Sequence, residues 1–167
     1  FNPQIISAVL GLVPGQVYNE TAMRKGFDDL KKLYGSRGYI NFTPVPMPEF
    51  DDQKNIVNLT INIDEDRKFV VNRIAFSGNT TTRDKVIRRE IMLDEGNVFN
   101  SALWDISLQR LNQLGYFEEI KDVDGEVKPH PTEPKVDVTL KVKEKSRNSI
   151  GFNGGVSGIG GSFLGLS

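Results

Sequence analysis

VNLTINIDE (residues 57–65) and VDVTLKVKE (136–144) are one phrase written twice, and its reading decides the fold. In the second copy Val136, Val138, Leu140 and Val142 alternate with Asp137, Thr139, Lys141 and Lys143. That is the period of a strand with one buried and one wet face. Working outward, PGQVYN (14–19) matches EGNVFN (95–100), Leu30 falls on Leu111 and Leu33 on Leu114. Matches kept in order over this distance mark a module repeated in tandem.

Each copy carries two helices before its strands. Asn19 and Asn100 stand where an N-cap side chain accepts from free N–H groups of the first turn. After them Met23, Phe27, Leu30 and Tyr34, and likewise Trp104, Leu108, Leu111 and Leu114, recur at spacings of three and four. Shorter helices precede, the first built on Asn2, Pro3, Ile5, Ile6 and Val9, the second on Thr82, Val86, Ile87 and Ile91. Gly38 and Gly115 suit the left-handed stop after the longer helices. In the second copy two strands follow, Tyr116 to Val127 and Val136 to Glu144, around a KPHPTEPK turn. Only the second copy also has a strand before its helices, FVVNRIAFSGN (69–79). The module therefore reads strand, helix, helix, strand, strand, with the opening strand missing from the first copy.

Composition narrows the function. The chain has 167 residues, 38% hydrophobic and 26% charged, which is ordinary for a globular protein, and its net charge is −1. Residues 1–68 carry 8 basic and 9 acidic side chains and residues 69–147 carry 13 of each, so neither half has the basic excess of a phosphate-backbone binder. The absence of cysteine excludes thiolate catalysis and cysteine-ligated zinc. The single histidine, His130, lies between prolines with no ligand cluster, so no metal and no cofactor is expected. Asp51-Asp52, Asp64-Glu65-Asp66 and Glu118-Glu119 read as charged turns and strand ends. No nucleophile and base pair is evident, and the chain reads as a non-enzyme. No apolar run is long enough for a transmembrane helix, no signal peptide is present, and the FNPQ opening reads as a processed or truncated start.

Gly35-Ser36-Arg37-Gly38 matches the GxxG loop of KH domains, which makes a KH-like RNA-binding module the competing reading from another class. A KH loop lies between two helices, however, whereas this one lies between a helix and a strand. A helix C-cap accounts for it better.

The module order, with FSGNTTTRDKVIRREI, RLNQLGYFEEI, YNETAMRKGFDDLKKLYGSRGY and RKFVVNRIAFSGN, resembles the polypeptide-transport-associated (POTRA) domain. More closely, it is similar to the last two POTRA domains of a BamA-type outer-membrane assembly factor. The resemblance implies an α+β fold of two tandem modules, each a three-stranded mixed sheet with two helices on one face. Residues 1–68 form the module without its opening strand, 69–147 the complete, barrel-proximal one, and 148–167 the start of a membrane β-barrel. In that last stretch Ile150, Phe152 and Val156 alternate with Gly151, Asn153, Gly155 and Ser157, the pattern of a barrel strand. Cut from its neighbours, such a strand is expected to seek an edge on another molecule, that of Ile56 to Asp64.

The implied function is that of a periplasmic platform on an outer-membrane protein. It receives unfolded outer-membrane proteins by β-augmentation, docks accessory assembly lipoproteins and works with its own C-terminal barrel, without nucleic acid. The resemblance places accessory docking at Arg88 and Glu95. In the family's sheet the second strand lies on an edge, so the candidate edges are Tyr39 to Val45 and Phe117, Glu118, Glu119, Ile120, Lys121, Asp122 and Val123. The first runs into Pro44, Pro46 and Pro48, which lack the N–H that pairing needs, so the second is expected to be the more usable. The alternative within the family is a two-partner secretion transporter or an organellar import channel.

Overall fold

A computed structural model describes residues 1–146, 152–157 and 161–166. Its first half holds α1 (Pro3–Leu10), α2 (Glu20–Gly35), β1 (Thr43–Asp51) and β2 (Ile56–Asp64). Its second half holds β3 (Val70–Ser77), α3 (Asp84–Arg88), α4 (Ser101–Gln113), a single 3-10 turn (Asp122–Asp124), β4 (Gly125–Pro129) and β5 (Lys135–Lys141). The long helices begin where expected. The Asn19 side chain accepts from Ala22 N–H at 3.1 Å and Asn100 from Leu103 N–H at 3.1 Å. Caps of this kind are worth about 1 kcal/mol each.

In the second half β5 is central, parallel to β3 and antiparallel to β4. Val136, Val138 and Leu140 are fully buried and belong to one core with Phe69, Ile74, Ile87, Trp104, Leu108 and Leu111. The first half has β1 and β2 antiparallel, and no described strand occupies the position that β3 takes in the second. Its own core gathers Leu10, Leu30, Tyr34 and Phe42. There the Tyr34 ring stacks on Phe42 at 3.9 Å and its hydroxyl donates to Glu65 at 2.8 Å. Burial, reinforced by the Glu65 carboxylate, pushes the Tyr34 hydroxyl up to about 12.

The halves meet through the chain around residues 67–69. Phe69 N–H donates to Gly38 O at 2.9 Å, Lys68 sits over the Tyr39 ring at 5.5 Å, and Ile40 packs against the second core. Arg67 donates to the carbonyls of Pro131 and Thr132, both at 3.3 Å, tying the connection to the β4–β5 turn.

Three expectations change. The strand read over Tyr116 to Val127 is broken. Phe117 makes an isolated bridge to Glu144, and regular pairing resumes only at Gly125. The cause lies on α4, where the Asn112 amide accepts from Ile120 N–H at 2.8 Å and donates to Ile120 O at 2.9 Å. Both backbone groups of Ile120 are thus taken by a helix side chain, and its own side chain enters the core. The Tyr39 to Val45 edge is displaced as well. Phe42 N–H closes a turn onto Tyr39 O at 3.4 Å with the Phe42 ring buried under Tyr34, so β1 starts at Thr43.

The third change concerns the C-terminal stretch. Instead of one strand there are two, β6 (Phe152–Ser157) and β7 (Gly161–Leu166), paired antiparallel with each other. A strand expected to look for a partner elsewhere has one in its own chain. The other residues expected in the barrel segment, 147–151, 158–160 and 167, lie outside the described residues.

Candidate strand-receiving edges and docking surface

Whether a sheet edge can receive a strand depends on which backbone groups point outward. In the β1–β2 ladder the pairs Pro44↔Ile63, Pro46↔Ile61 and Pro48↔Leu59 each contain a residue without an N–H. They must be the non-bonded pairs, and the hydrogen bonds fall on the odd-numbered residues of β1. All three prolines then face the outer side of β1, so from residue 44 to 48 that edge has no outward donor. The same parity turns the N–H and C=O groups of Val57, Leu59, Ile61 and Ile63 to the outer side of β2, where no described strand lies.

On β4 the phase is set by His130 N–H, which donates to Lys135 O at 2.8 Å. Counting back, Gly125, Val127 and Pro129 face outward. Gly125 N–H is taken by Asp122 O and Pro129 has none, so among the described residues the Val127 N–H and the carbonyls of all three have no strand partner. Of the residues expected to form the receiving edge, Phe117 and Ile120 are buried in the core. Glu118 donates its N–H to Lys143 O at 2.8 Å, and Lys121 donates its N–H to the Asp124 carboxylate. Glu119, Asp122 and Val123 sit in the same loop and turn. The outer edge strand is Gly125–Pro129 instead.

The outer edge of β3 is covered. Residues 96–99 run antiparallel along its start, with Phe99 N–H on Phe69 O at 2.9 Å, Val71 N–H on Asn97 O at 2.8 Å and Gly96 N–H on Val71 O at 2.7 Å. The register shift between Val71 and Arg73 changes the phase, and Ile74 becomes the next outward residue. Its N–H donates to the Glu95 carboxylate at 2.8 Å, and its carbonyl accepts from Arg88 Nη2 at 3.0 Å. Arg88 Nη1 also reaches Glu95 at 3.4 Å, and the guanidinium lies over the Phe76 ring at 5.2 Å.

Arg88 and Glu95, singled out for docking, are thus brought together, yet both are engaged with the sheet. At 49% and 45% exposure the pair still faces solvent. The Ile74 N–H first, and Arg88 second, hold the Glu95 carboxyl below its usual range.

Glu144 was not singled out as a site, but its carboxylate gathers the loop ahead of α3. It accepts from Thr82 N–H at 2.6 Å, from Thr81 N–H at 3.0 Å and from the Thr80 hydroxyl at 2.9 Å. These bonds, led by that to Thr82, lower its carboxyl from 4.5 to about 2. A carboxylate ionised more readily in the folded chain contributes stability above its unfolded value and loses it as pH falls through the folded one. The thermal midpoint of the second half should therefore drop between about pH 4.5 and pH 2, with a flatter profile in Glu144→Gln. Parallel acid profiles in both proteins would contradict this.

His130 Nε2 donates to the Asp137 carboxylate at 3.1 Å, and Asp137 also accepts from Asn72 at 2.7 Å. Among the described residues no cluster of three or more His, Cys, Asp or Glu is arranged to hold a metal. The GxxG stretch packs between the halves. Gly38 at φ +91° lies where a Cβ would come within 2.5 Å of Val98, and Gly35 lies against Ser101.

The chain matches the family described as POTRA, surface antigen variable number repeat, over residues 1–66 and again over 69–145. It belongs to the POTRA family. The outer membrane protein assembly factor BamA of Buchnera aphidicola is 28% identical over 98% of this chain, and that of Neisseria meningitidis is 30% identical over 90%. The chain spans only 26% and 19% of those relatives. The POTRA3-5 crystal structure of Haemophilus influenzae BamA superposes with a TM-score of 0.75 at 29% identity, covering 84% of this chain and 55% of that one. BamA of Haemophilus ducreyi lacking POTRA domains 1-3 gives 0.73 at 26% identity, covering 94% and 31%. The tandem units are POTRA modules of the BamA type.

Proposed function

We propose that these POTRA modules, residues 1–68 and 69–147, serve on the periplasmic side of an outer-membrane β-barrel whose first strands begin in residues 148–167. There they receive unfolded outer-membrane proteins and dock accessory assembly lipoproteins. The work is binding and orientation rather than catalysis. The observation that carries the receiving role is the outer row of β4, with carbonyls at Gly125, Val127 and Pro129 and a donor at Val127. An extended chain adds there through its backbone, which suits many substrates because the main chain is common to all of them. The outer row of β2 is assigned to the first module's own opening strand, by analogy with β3 on β5.

Val127→Pro tests the receiving role selectively. It deletes the outward donor at a position that makes no ladder bond to β5, so the sheet should persist. Cross-linking of an unfolded outer-membrane protein to probes along β4 is expected to fall sharply while the circular dichroism is retained. Unchanged cross-linking in a folded variant would reject β4 as the receiving edge.

Docking is tested by Glu95→Lys. Capture of accessory lipoproteins is expected to fall, accompanied by a small loss of stability because Ile74 N–H loses its acceptor. Undiminished capture would remove Glu95 from the docking face.

A further inference from the structure

The Arg88–Glu95 pair stands where a neighbouring strand would stand. Residues 96–99 begin an antiparallel ladder on β3 and then leave it at the Gly96 turn. Beyond that turn the Glu95 carboxylate supplies the acceptor and the Arg88 guanidinium the donor that a strand residue opposite Ile74 would supply from its backbone. Phe76, two residues further along, faces the same way, because Ser77 O accepts from Val142 N–H on the other side of the strand. Both covering side chains are about half exposed and their mutual contact is long, at 3.4 Å. Such a cover is held by side-chain bonds that water and competing ions can replace.

We infer that the Ile74–Phe76 edge of β3 is a second, concealed strand-receiving site, opened by an extended segment that carries a cationic side chain. The incoming lysine or arginine takes the Glu95 carboxylate in place of Arg88, and its backbone takes over the Ile74 N–H and C=O. The segment then continues the antiparallel ladder that residues 96–99 have begun. This continuity fixes the occupant as extended chain rather than helix, and Glu95 fixes the sign of its charge. The inference rests on reading Glu95 as a recognition group, and it makes docking and strand receipt alternative uses of the same carboxylate.

The test uses the isotope-labelled chain and two blocked hexapeptides of alternating valine and threonine, one carrying a central lysine and the other a glutamate. The lysine peptide is expected to shift the amide signals of Ile74 and Phe76 and to bind at least about tenfold more tightly than the glutamate peptide. In Glu95→Gln, which keeps an acceptor for Ile74 but no charge, that preference should vanish while the fold is kept. Equal response to both peptides in the wild type, or shifts confined to β4, would overturn the concealed edge. Because no accessory protein is present, failure of lipoprotein capture with a positive peptide result removes only the docking reading. Capture with a negative peptide result removes only the inference.

Discussion

Gly78→Ala is expected to lower the stability of the second module by about 3 kcal/mol, combining the cost of a left-handed side-chain-bearing residue with that of overpacking. Gly78 follows β3 at φ +86°, and a Cβ built there falls 1.9 Å from the carbonyl oxygen of Val142. Neither atom can yield cheaply. Val142 N–H donates to Ser77 O at 2.8 Å, and the Val142 side chain is in the core, so the backbone is held from both ends. Since domains of this size are commonly stable by only about 5–15 kcal/mol, the loss should be plain in a urea titration. The single tryptophan, Trp104, is 5% exposed in the second core, so its fluorescence reports on that module. An unchanged Trp104 midpoint would show that the Gly78 turn relaxes at little cost.

Phe69→Ala is the other large effect, expected at about 3–5 kcal/mol for a fully buried aromatic truncated to alanine. Phe69 is 0% exposed, its carbonyl accepts from Phe99, and its ring lies under Arg67 at 5.5 Å. Truncation opens a cavity at the point where the second core meets the connection between modules. The Trp104 transition should move to lower urea. Amide protection of β2, which sits over the separate Tyr34 and Phe42 core, should change much less. Equal loss of protection in β2 would mean that the modules unfold as one cooperative unit.

The regular elements were legible because each rests on a local pattern. Asn19 and Asn100 cap their helices as their positions imply, and the alternation in Val136 to Val142 names the buried face of the central strand. Even the closed edge of β1 was implicit, since prolines spaced by two share one side of a strand. The break at Ile120 was not legible, because it depends on a side chain eight residues away on α4 competing for the strand's backbone bonds. In the sequence, Phe117 to Val123 had no proline to mark an end.

The candidate sites divide in the same way. Arg88 and Glu95 were placed by family resemblance, but their engagement with Ile74 depends on the register shift in β3, which turns that residue outward toward the pair. Glu144 lies 62 residues from the Thr82 amide it accepts from, and no local pattern brings them together. The sequence alone determined the tandem repeat, its helices, its central strands and the absence of cysteine chemistry, since these follow from periodicity, capping and composition along neighbouring residues. Which sheet edges are open, covered or one-sided was decided only by the tertiary structure. Hydrogen-bond phase is set between strands, and a single bulge or one competing amide reverses the side to which a backbone donor points.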